Sequence, residues 1–442
     1  MVFAAPDSHH RTPAHETALA CLAAGLEAAA PESAVRRHCG LDAPDETLII
    51  EGVRYSLAAY DRVVLVGAGK ATAGLARALS ELLGDRLSDG AIVVESPPSA
   101  PIESVRTYVG EHPTPGAGSV AGTARVRELA TAADEATLVL AVFSGGGSAL
   151  LSAPAGELTL TDLVDTTRTL LDAGASIAEL NRVRRALSAV KGGRLAAQCE
   201  PATVVTVLLS DVVGDDPAVV ASGPTIPSSS TPADALAVLE RYEITAPAVL
   251  SHLRDGPEPP VTAPPIETPS THVIGSGRDA LEAAGRVARE RGYEPCLLSA
   301  SFEGDARALG RFHAGIASEI CASGSPVAPP CVVLSGGECT VTVVGDGEGG
   351  PNTEAVLGAA LALEDGVFAA IDTDGADGGT DVAGAIVDAE TVGDPSRARE
   401  ALAANDAAGY LTEAGAALRT GPTGTNVNDL RVVCIGAPRD GV

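Results

Sequence analysis

Lysine is almost missing from this chain. Of thirty lysine and arginine residues in 442, two are lysines, Lys70 and Lys191. Tryptophan is absent, methionine occurs once, and aromatic residues make up 2%. Basic residues are outnumbered by 58 acidic ones, giving a net charge of −28. A surface of that sign repels nucleic acid and anionic membranes, and no basic patch interleaved with aromatics reverses the expectation. No apolar run is long enough to span a bilayer. The cysteines (Cys21, Cys39, Cys199, Cys296, Cys321, Cys331, Cys339 and Cys434) form no CxxC pair and no metal-ligand spacing. That excludes a disulfide framework or zinc motif and suits small buried hydrophobes in a reducing compartment. The opening residues, MVFAAPDSHHRT, lack the basic start and apolar stretch of a secretory signal, so a cytoplasmic location is expected. Strong acidity with scarce lysine suggests a high-salt cytoplasm, where the screening length falls to about 3 Å at 1 M salt.

What is present points to a folded protein with room for two domains. Hydrophobic residues make up 45% and mean hydropathy is +0.19. Short apolar runs at 63–66, 138–143, 204–209, 332–334 and 432–435 alternate with alanine-rich helical segments. This is the α/β pattern, and it predicts mostly parallel strands covered on both faces. Several runs end in glycine, serine or aspartate turns, where open α/β sheets carry their ligands. The proline-rich stretch 257–270 reads as a linker. It places a domain boundary near 260–266, with an N-terminal domain at 1–260 and a C-terminal one at 266–442.

Both lysines sit in glycine-rich settings, and a flexible ammonium is suited to a phosphate contact. VVLVGAGKATAGLARAL (63–79) reads as strand, Gly-Ala-Gly-Lys turn and helix. Thr72 breaks GxGxxG and Ala71 breaks the P-loop pattern, so neither a dinucleotide site nor a Walker loop is indicated. A general anion site with Lys70 remains, beside a purely structural βα turn. In SGGGSALL, Gly145, Gly146 and Gly147 let backbone amides approach a ligand; Ser148 lacks the surrounding pattern of a nucleophile elbow. Ser176 and Glu179 form a capping box that starts a helix. On its face fall Asn181, Arg184, Ser188 and Lys191, at i, i+3, i+7 and i+10, up to Gly192 and Gly193. That stripe suits a phosphate or a carboxylate; a solvated basic face is the alternative.

Asp211, Asp374 and Asp377 follow predicted strands, a setting that suits Mg²⁺ shared with nucleotide phosphates. Thr423, Thr425 and Asn426 line a cleft or cap turns. His112, in EHPTPG, serves a proline turn, with a role as base or substrate contact as the other reading. LAVFSGGGSALL and CVVLSGGECTV echo each other, each a strand running into Ser-Gly-Gly.

Taken in order, VGAGKA, EHPTPGAGS, SGGGSALL, RVRRALSAVKGGRLA, SDVVGDDP, SGGECTVTV, GEGGPNTE, DTDGADGGTD and TGPTGTNV resemble the class II glycerate kinases. The resemblance covers most of the chain from about residue 60. It implies a Rossmann-like N-terminal domain, a C-terminal MOFRL domain and a catalytic site in the cleft between them. It also implies ATP- and Mg²⁺-dependent phosphorylation of D-glycerate, usually at the 2-hydroxyl. A monomer or homodimer is expected, and the acidic charge leads to the expectation of no nucleic-acid or membrane partner. Lys70 matches the motif lysine of the active site and Asp211 the aspartate of the SDV-GD motif. Many relatives carry arginine where this chain has Pro351, so Arg184 or Lys191 replaces it or substrate preference has shifted. On this reading the glycine turns, including Gly336 and Gly337 beside Glu338, cradle ATP and glycerate together with Asn352. Lys70 and Lys191 neutralise phosphoryl and carboxylate charge. Mg²⁺ is held among Asp211, Asp374 and Asp377, unless Asp211 orients or deprotonates the acceptor hydroxyl. Two rival readings are an NAD(P)H-dependent hydroxypyruvate reductase and a non-catalytic nucleotide-binding protein.

Overall fold

The computed structural model describes Phe3 and residues 12–42, 44–255 and 271–438; the predicted linker at 257–270 lies outside these described residues. The chain divides into two compact units, Ala34–Ile274, and Met1–Ser33 with Gly275–Val442.

The first unit is built on a six-stranded sheet. Its spatial order is Arg106–Val109, Leu87–Val94, Arg62–Ala68, Thr137–Phe143, Thr203–Leu209 and Thr271–Gly275. Numbered along the chain, these strands lie in the order 3-2-1-4-5-6, the doubly wound Rossmann arrangement. The ladders joining the first five strands are all parallel. Thr137–Phe143 is buried at every position, as a strand covered on both faces must be. Its alternate side chains Val139, Ala141 and Phe143 join Val64, Val66, Val93, Val126 and Leu129 in one core. A separate apolar cluster holds four helices, Leu160–Asp172, Ile177–Ala186, Pro232–Arg241 and Pro247–Asp255. Three of them begin with a capping box: Thr159 with Asp162, Ser176 with Glu179, and Thr231 with Asp234. A three-stranded antiparallel meander, Cys39–Asp42, Thr47–Ile50 and Val53–Ser56, completes the unit.

The second unit also has six strands, in the order Glu294–Asp305, Cys331–Thr340, Asp429–Ile435, Val367–Asp372, Gly384–Asp388 and Ala417–Leu418. Only the first pair is parallel; the other ladders are antiparallel. The parallel expectation therefore holds for the first unit and fails here. The cause is that this sheet, too, is covered on both faces. Along Asp429–Ile435, Val433 and Ile435 enter one core, and Leu430, Val432 and Cys434 the other. A doubly covered antiparallel strand reads as the same unbroken apolar run as a parallel one. One face takes helices Ala306–Ser323 and Pro351–Ala360. The other takes Gly277–Glu290 and the N-terminal helix Pro13–Ala29, whose Leu22 and Leu26 pack with Leu281 and Val432. Gly25 makes that approach close, since a Cβ there would strike Leu430. The unit is accordingly discontinuous in sequence, which a single cut near 260–266 does not capture. No single helix among the described residues is long and apolar enough to cross a membrane.

Candidate active site

The sheet order of the first unit reverses between its first and fourth strands, and Ala68 pairs with Phe143 at their ends. Such a switch point opens a crevice at the carboxyl ends of the strands. The two turns that leave it are tied together. The Lys70 amide donates to the Gly145 carbonyl at 2.8 Å, and the Ala71 amide to Ser144 Oγ at 3.0 Å. Ser144 Oγ also pairs with Thr72 Oγ1 at 3.2 Å, holding the start of helix Thr72–Leu83. The amides of Gly145 and Gly146 meet no acceptor among the described residues. Two free amides beside a lysine form a small anion cradle.

Glycine is required here for space. A Cβ on Gly145 would collide with the Asp211 carboxylate, which follows the fifth strand. A Cβ on Gly146, whose φ is +77°, would lie 3.1 Å from Lys70 Cγ and 3.3 Å from His112 Cδ2. Lys70, Asp211 and His112 thus close on one backbone turn. Burial pushes the Asp211 carboxyl up to about 6, opposed by its backbone amide and the Lys70 charge. Burial lowers the His112 pKa, Lys70 and Arg184 add to the effect, and Glu95 opposes it with its Oε1 3.5 Å from Nδ1.

The helix opened by Ser176 and Glu179 ends at Ala186 rather than at Gly192. Beyond it the chain pairs with the segment after Leu151: Ala155 N donates to Leu187 O at 3.0 Å, and Ala189 N to Ala153 O at 2.9 Å. These non-helical bonds end the predicted stripe, yet Arg184, Ser188 and Lys191 still converge. With Gly146, Ser148 and His112 they line a cavity of about 370 Å³. Asn181 is buried and accepts from Ser222 Oγ at 3.5 Å; Ser222 Oγ also lies 2.8 Å from Ser148 Oγ. Lys191 is 4% exposed, and its Nζ donates to Leu151 O at 2.6 Å. Burial and the Arg184 charge bring its pKa down to about 7. No carboxylate pairs with Arg184 or Lys191 among the described residues. In a chain of net charge −28, two such cations in one cavity point to an anionic ligand.

The candidate residues of the second unit fare differently. Gly336, Gly337 and Glu338 do not form a turn but continue the strand Cys331–Thr340. Gly336 pairs with Leu430, and Gly337 with Asp429 and Phe302. Gly337, at φ +118°, is needed because a Cβ would collide with the Phe302 backbone. Glu338 is exposed. Asp377 caps helix Pro351–Ala360. Its Oδ1 accepts from the Asn352 amide at 2.8 Å, and its Oδ2 from the Thr353 amide at 2.8 Å and Thr353 Oγ1 at 2.7 Å. So occupied, its carboxylate has little left to offer a cation. Asn352 is buried and donates to Asp429 Oδ1 at 2.6 Å; Asp429 in turn pairs with the buried Arg431. Pro351 stands at the first position of that helix, where no amide is needed. Asp374 accepts from the Ala376 and Thr423 amides through its side chain and carbonyl respectively. Thr423 and Thr425 direct their hydroxyls to Thr373 O and Ala29 O, which ties the turn to distant segments, while Asn426 Oδ1 caps the turn by accepting from the Asn428 amide at 3.0 Å.

Asp372 heads the DTDGADGGTD motif but is not among the candidate ligands read from the sequence, and Asp429 is not singled out there at all. Burial, then Asp374, Asp429 and Glu338, raise the Asp372 pKa to about 9. Asp429 and Arg431 could have been noticed as charges flanking the apolar run of DLRVVCI. Among the described residues no group of three His, Cys, Asp or Glu side chains is placed to hold a metal.

Fold and site together define a doubly wound α/β unit with a cation-lined cavity at its strand ends, joined to a second α/β unit with a mixed sheet. Residues 17–254 match a domain of unknown function, DUF4147, and residues 331–429 match the MOFRL family. The chain is 42% identical to the D-glycerate 2-kinase of Thermotoga maritima, over 84% of this chain and 90% of that one. A provisionally named hydroxypyruvate reductase of Agrobacterium vitis is 40% identical, over 85% and 87%. The crystal structure of a Thermotoga maritima glycerate kinase matches with a TM-score of 0.85 at 37% identity, covering 95% of this chain and 99% of that one. The chain belongs to the class II glycerate kinase family.

Proposed function

We propose that this protein is a glycerate 2-kinase, transferring the γ-phosphoryl group of ATP to the 2-hydroxyl of D-glycerate. The observation that carries the reading is the approach of Lys70 and Asp211 to one glycine turn with two free amides. Phosphoryl transfer asks a protein mainly for positioning and charge neutralisation. The Lys70 ammonium and the Gly145 and Gly146 amides meet the oxygens of the transferring group. Asp211 takes the hydroxyl proton as the new O–P bond forms and ADP leaves with the electrons of the broken one. A carboxylate near 6 is ionised at neutral pH and more basic than a solvated one. Lys191 and Arg184 hold further negative charge of the ligands.

Mg²⁺ supplies additional neutralisation of phosphate charge when bound. It needs only one or two carboxylates beside the phosphates. In the second unit, Asp372 and Asp374 are the crowded pair whose repulsion a divalent cation would relieve. The reading extends to a high-salt cytoplasm and a monomer or homodimer without nucleic-acid or membrane partners. The −28 charge and two lysines support it. The reductase alternative is disfavoured by Thr72, whose buried side chain bonds Ser144 where a dinucleotide fingerprint places a glycine.

The test is incubation with ATP, Mg²⁺ and D-glycerate in molar KCl, with the product identified by phosphorus NMR. A parallel sample holds hydroxypyruvate and NAD(P)H. 2-Phosphoglycerate without cofactor oxidation is expected. No phosphoglycerate at low or high salt overturns the kinase, and cofactor oxidation establishes the reductase.

A further inference from the structure

The cavity beside Lys191 is two-sided in a way that glycerate does not explain. At about 370 Å³ it falls in the size range of small-molecule sites, roughly 300–1,000 Å³. A three-carbon acid fills only part of that and has no apolar face. One side of the cavity is polar, formed by Arg184, Lys191 and Ser148. The other is apolar, formed by Leu163, Val164, Leu171 and Leu187. Leu163, Val164 and Leu171 project from a single helix, Leu160–Asp172. Leu171, at its end, is 53% exposed, a large hydrophobe at the mouth of the cavity. The helix itself is anchored elsewhere, through Leu170 in the helical cluster, so Leu171 is not needed to hold it. Gly146 belongs both to this cavity and to the turn beside Lys70. A ligand seated here therefore extends directly to the phosphoryl-binding turn.

We infer that this cavity is the nucleotide's compartment. The base lies against the Leu163, Val164 and Leu171 wall, and Arg184 and Lys191 hold the phosphate chain on its way to Lys70. The inference rests on the kinase reading and deepens it by assigning the phosphoryl donor, not the acceptor, to this cavity of the first unit. A planar base covers an exposed leucine, and flat apolar walls with a few placed cations are the usual composition of such sites. The two cations are set to recognise a di- or triphosphate. No aspartate or glutamate forms an ion pair with them among the described residues, and Asp172, the one carboxylate in the cavity lining, lies at the exposed end of its helix. Leu163 and Leu187 also pack in the helical cluster, but glycerate, with one carboxylate and two hydroxyls, leaves the exposed Leu171 uncovered.

Calorimetric titration with ADP and steady-state KM values for ATP and glycerate test the assignment in the full chain. Leu171→Ser removes apolar surface at an exposed position, where folding is least affected, and Leu171→Met restores it. The Leu171→Ser variant should weaken ADP binding and raise the KM for ATP by about ten-fold, with the KM for glycerate unchanged; Leu171→Met should behave like the parent. Arg184→Gln should also weaken ADP. A raised glycerate KM with unaltered ADP affinity would make this the acceptor pocket and overturn the inference, as would no change in either. ADP binding sensitive to Leu171 but without phosphoryl transfer would sink the kinase reading and leave the nucleotide compartment standing. Phosphoryl transfer insensitive to Leu171 would do the reverse.

Discussion

The chain contains Ser-Gly-Gly twice at comparable places, 144–146 and 335–337, and the two copies do opposite things. In the first, the strand ends at Phe143 and the tripeptide turns away from the sheet. Ser144 caps the neighbouring turn, and the glycine amides stay open beside Lys70 and Asp211. In the second, the strand runs on to Thr340; Gly336 pairs with Leu430, and Gly337 is paired on both sides, with Asp429 and Phe302. Ser335 faces inward to the buried His313, whose Nε2 lies 2.7 Å away. The difference comes from the neighbours. Parallel strands finish together and leave a crevice at one edge. An antiparallel neighbour, here Asp429–Ile435, supplies partners past the point where the turn would form. The same three residues offer backbone groups to a ligand in one sheet and use them in a ladder in the other.

The most severe test of the first turn is Lys70→Ala. If Lys70 meets the transferring phosphoryl group, kcat should fall by about 10³-fold, with Tm changed by no more than about 2 °C. A spectrophotometric ADP-release assay and thermal unfolding read the two quantities. Equal loss of folding would make Lys70 a structural residue and remove the functional half of the comparison.

Glycine substitutions should separate the two copies most directly. Gly145→Ala pushes against the Asp211 carboxylate, a side chain rather than backbone, so the fold survives while kcat falls by about 10²-fold. Gly337→Ala meets the backbone of Phe302 at φ +118°, which no rotamer relieves. It should destabilise the protein by about 3 kcal/mol or more and leave kcat per folded molecule unchanged. Urea titration with active-site normalisation distinguishes them, and the reverse pattern would exchange the roles of the two motifs.

Much of this was legible in the sequence, for identifiable reasons. Lys70, Asp211 and the first glycine turn follow strands whose order places them at one crevice, and strand-end position is visible in the chain. The capping box at Ser176 sets the helix start where it was expected. Its end was hidden because Leu187 and Ala189 bond to residues about thirty-five positions earlier, which no local pattern encodes. Strand direction in the second unit was hidden by double coverage. Asp377 looked like a ligand because capping carboxylates and metal carboxylates occupy the same strand-end loops. What separates them is the saturation of Asp377 by Asn352 and Thr353.

A smaller effect follows from Lys191, which the first unit buries without a carboxylate. Burial and Arg184 hold its pKa at about 7 in the empty protein. Below that pH the ammonium is present and anions bind fully. Above it, ADP affinity should fall by up to about ten-fold per pH unit until the pKa of the bound state is reached. The other charged or ionisable groups facing the cavity are Arg168, Arg184 and His112, the last depressed below its ordinary value by burial. Asp172 lines the same cavity from the exposed end of its helix. The sign for stability is opposite. Between 7 and 10.5 the unfolded chain retains a proton that the folded one has released, so the empty protein gains stability as pH rises. Lys191→Met should flatten both profiles, and a pH-independent Kd in the parent would show that Lys191 does not face the ligand.

The finest comparison is between the two serines. Ser335→Ala leaves the Nε2 of a buried histidine without a partner and should lose about 1–2 kcal/mol of stability. Burial already holds His313 at a pKa of about 4, so its ring is neutral over the working range and no new charge appears. Its kcat should be unchanged, since Ser335 lies in a ladder and not in an open turn. Ser144→Ala removes the acceptor of the Ala71 amide and the partner of Thr72, and its loss of stability should be of the same order, about 1–2 kcal/mol. But Ser144 also fixes the turn that presents Lys70, and kcat should drop by about ten-fold because a loosened turn misplaces the ammonium. Equal stability loss with unequal turnover is what two copies of one motif must show if only one has been opened to a ligand.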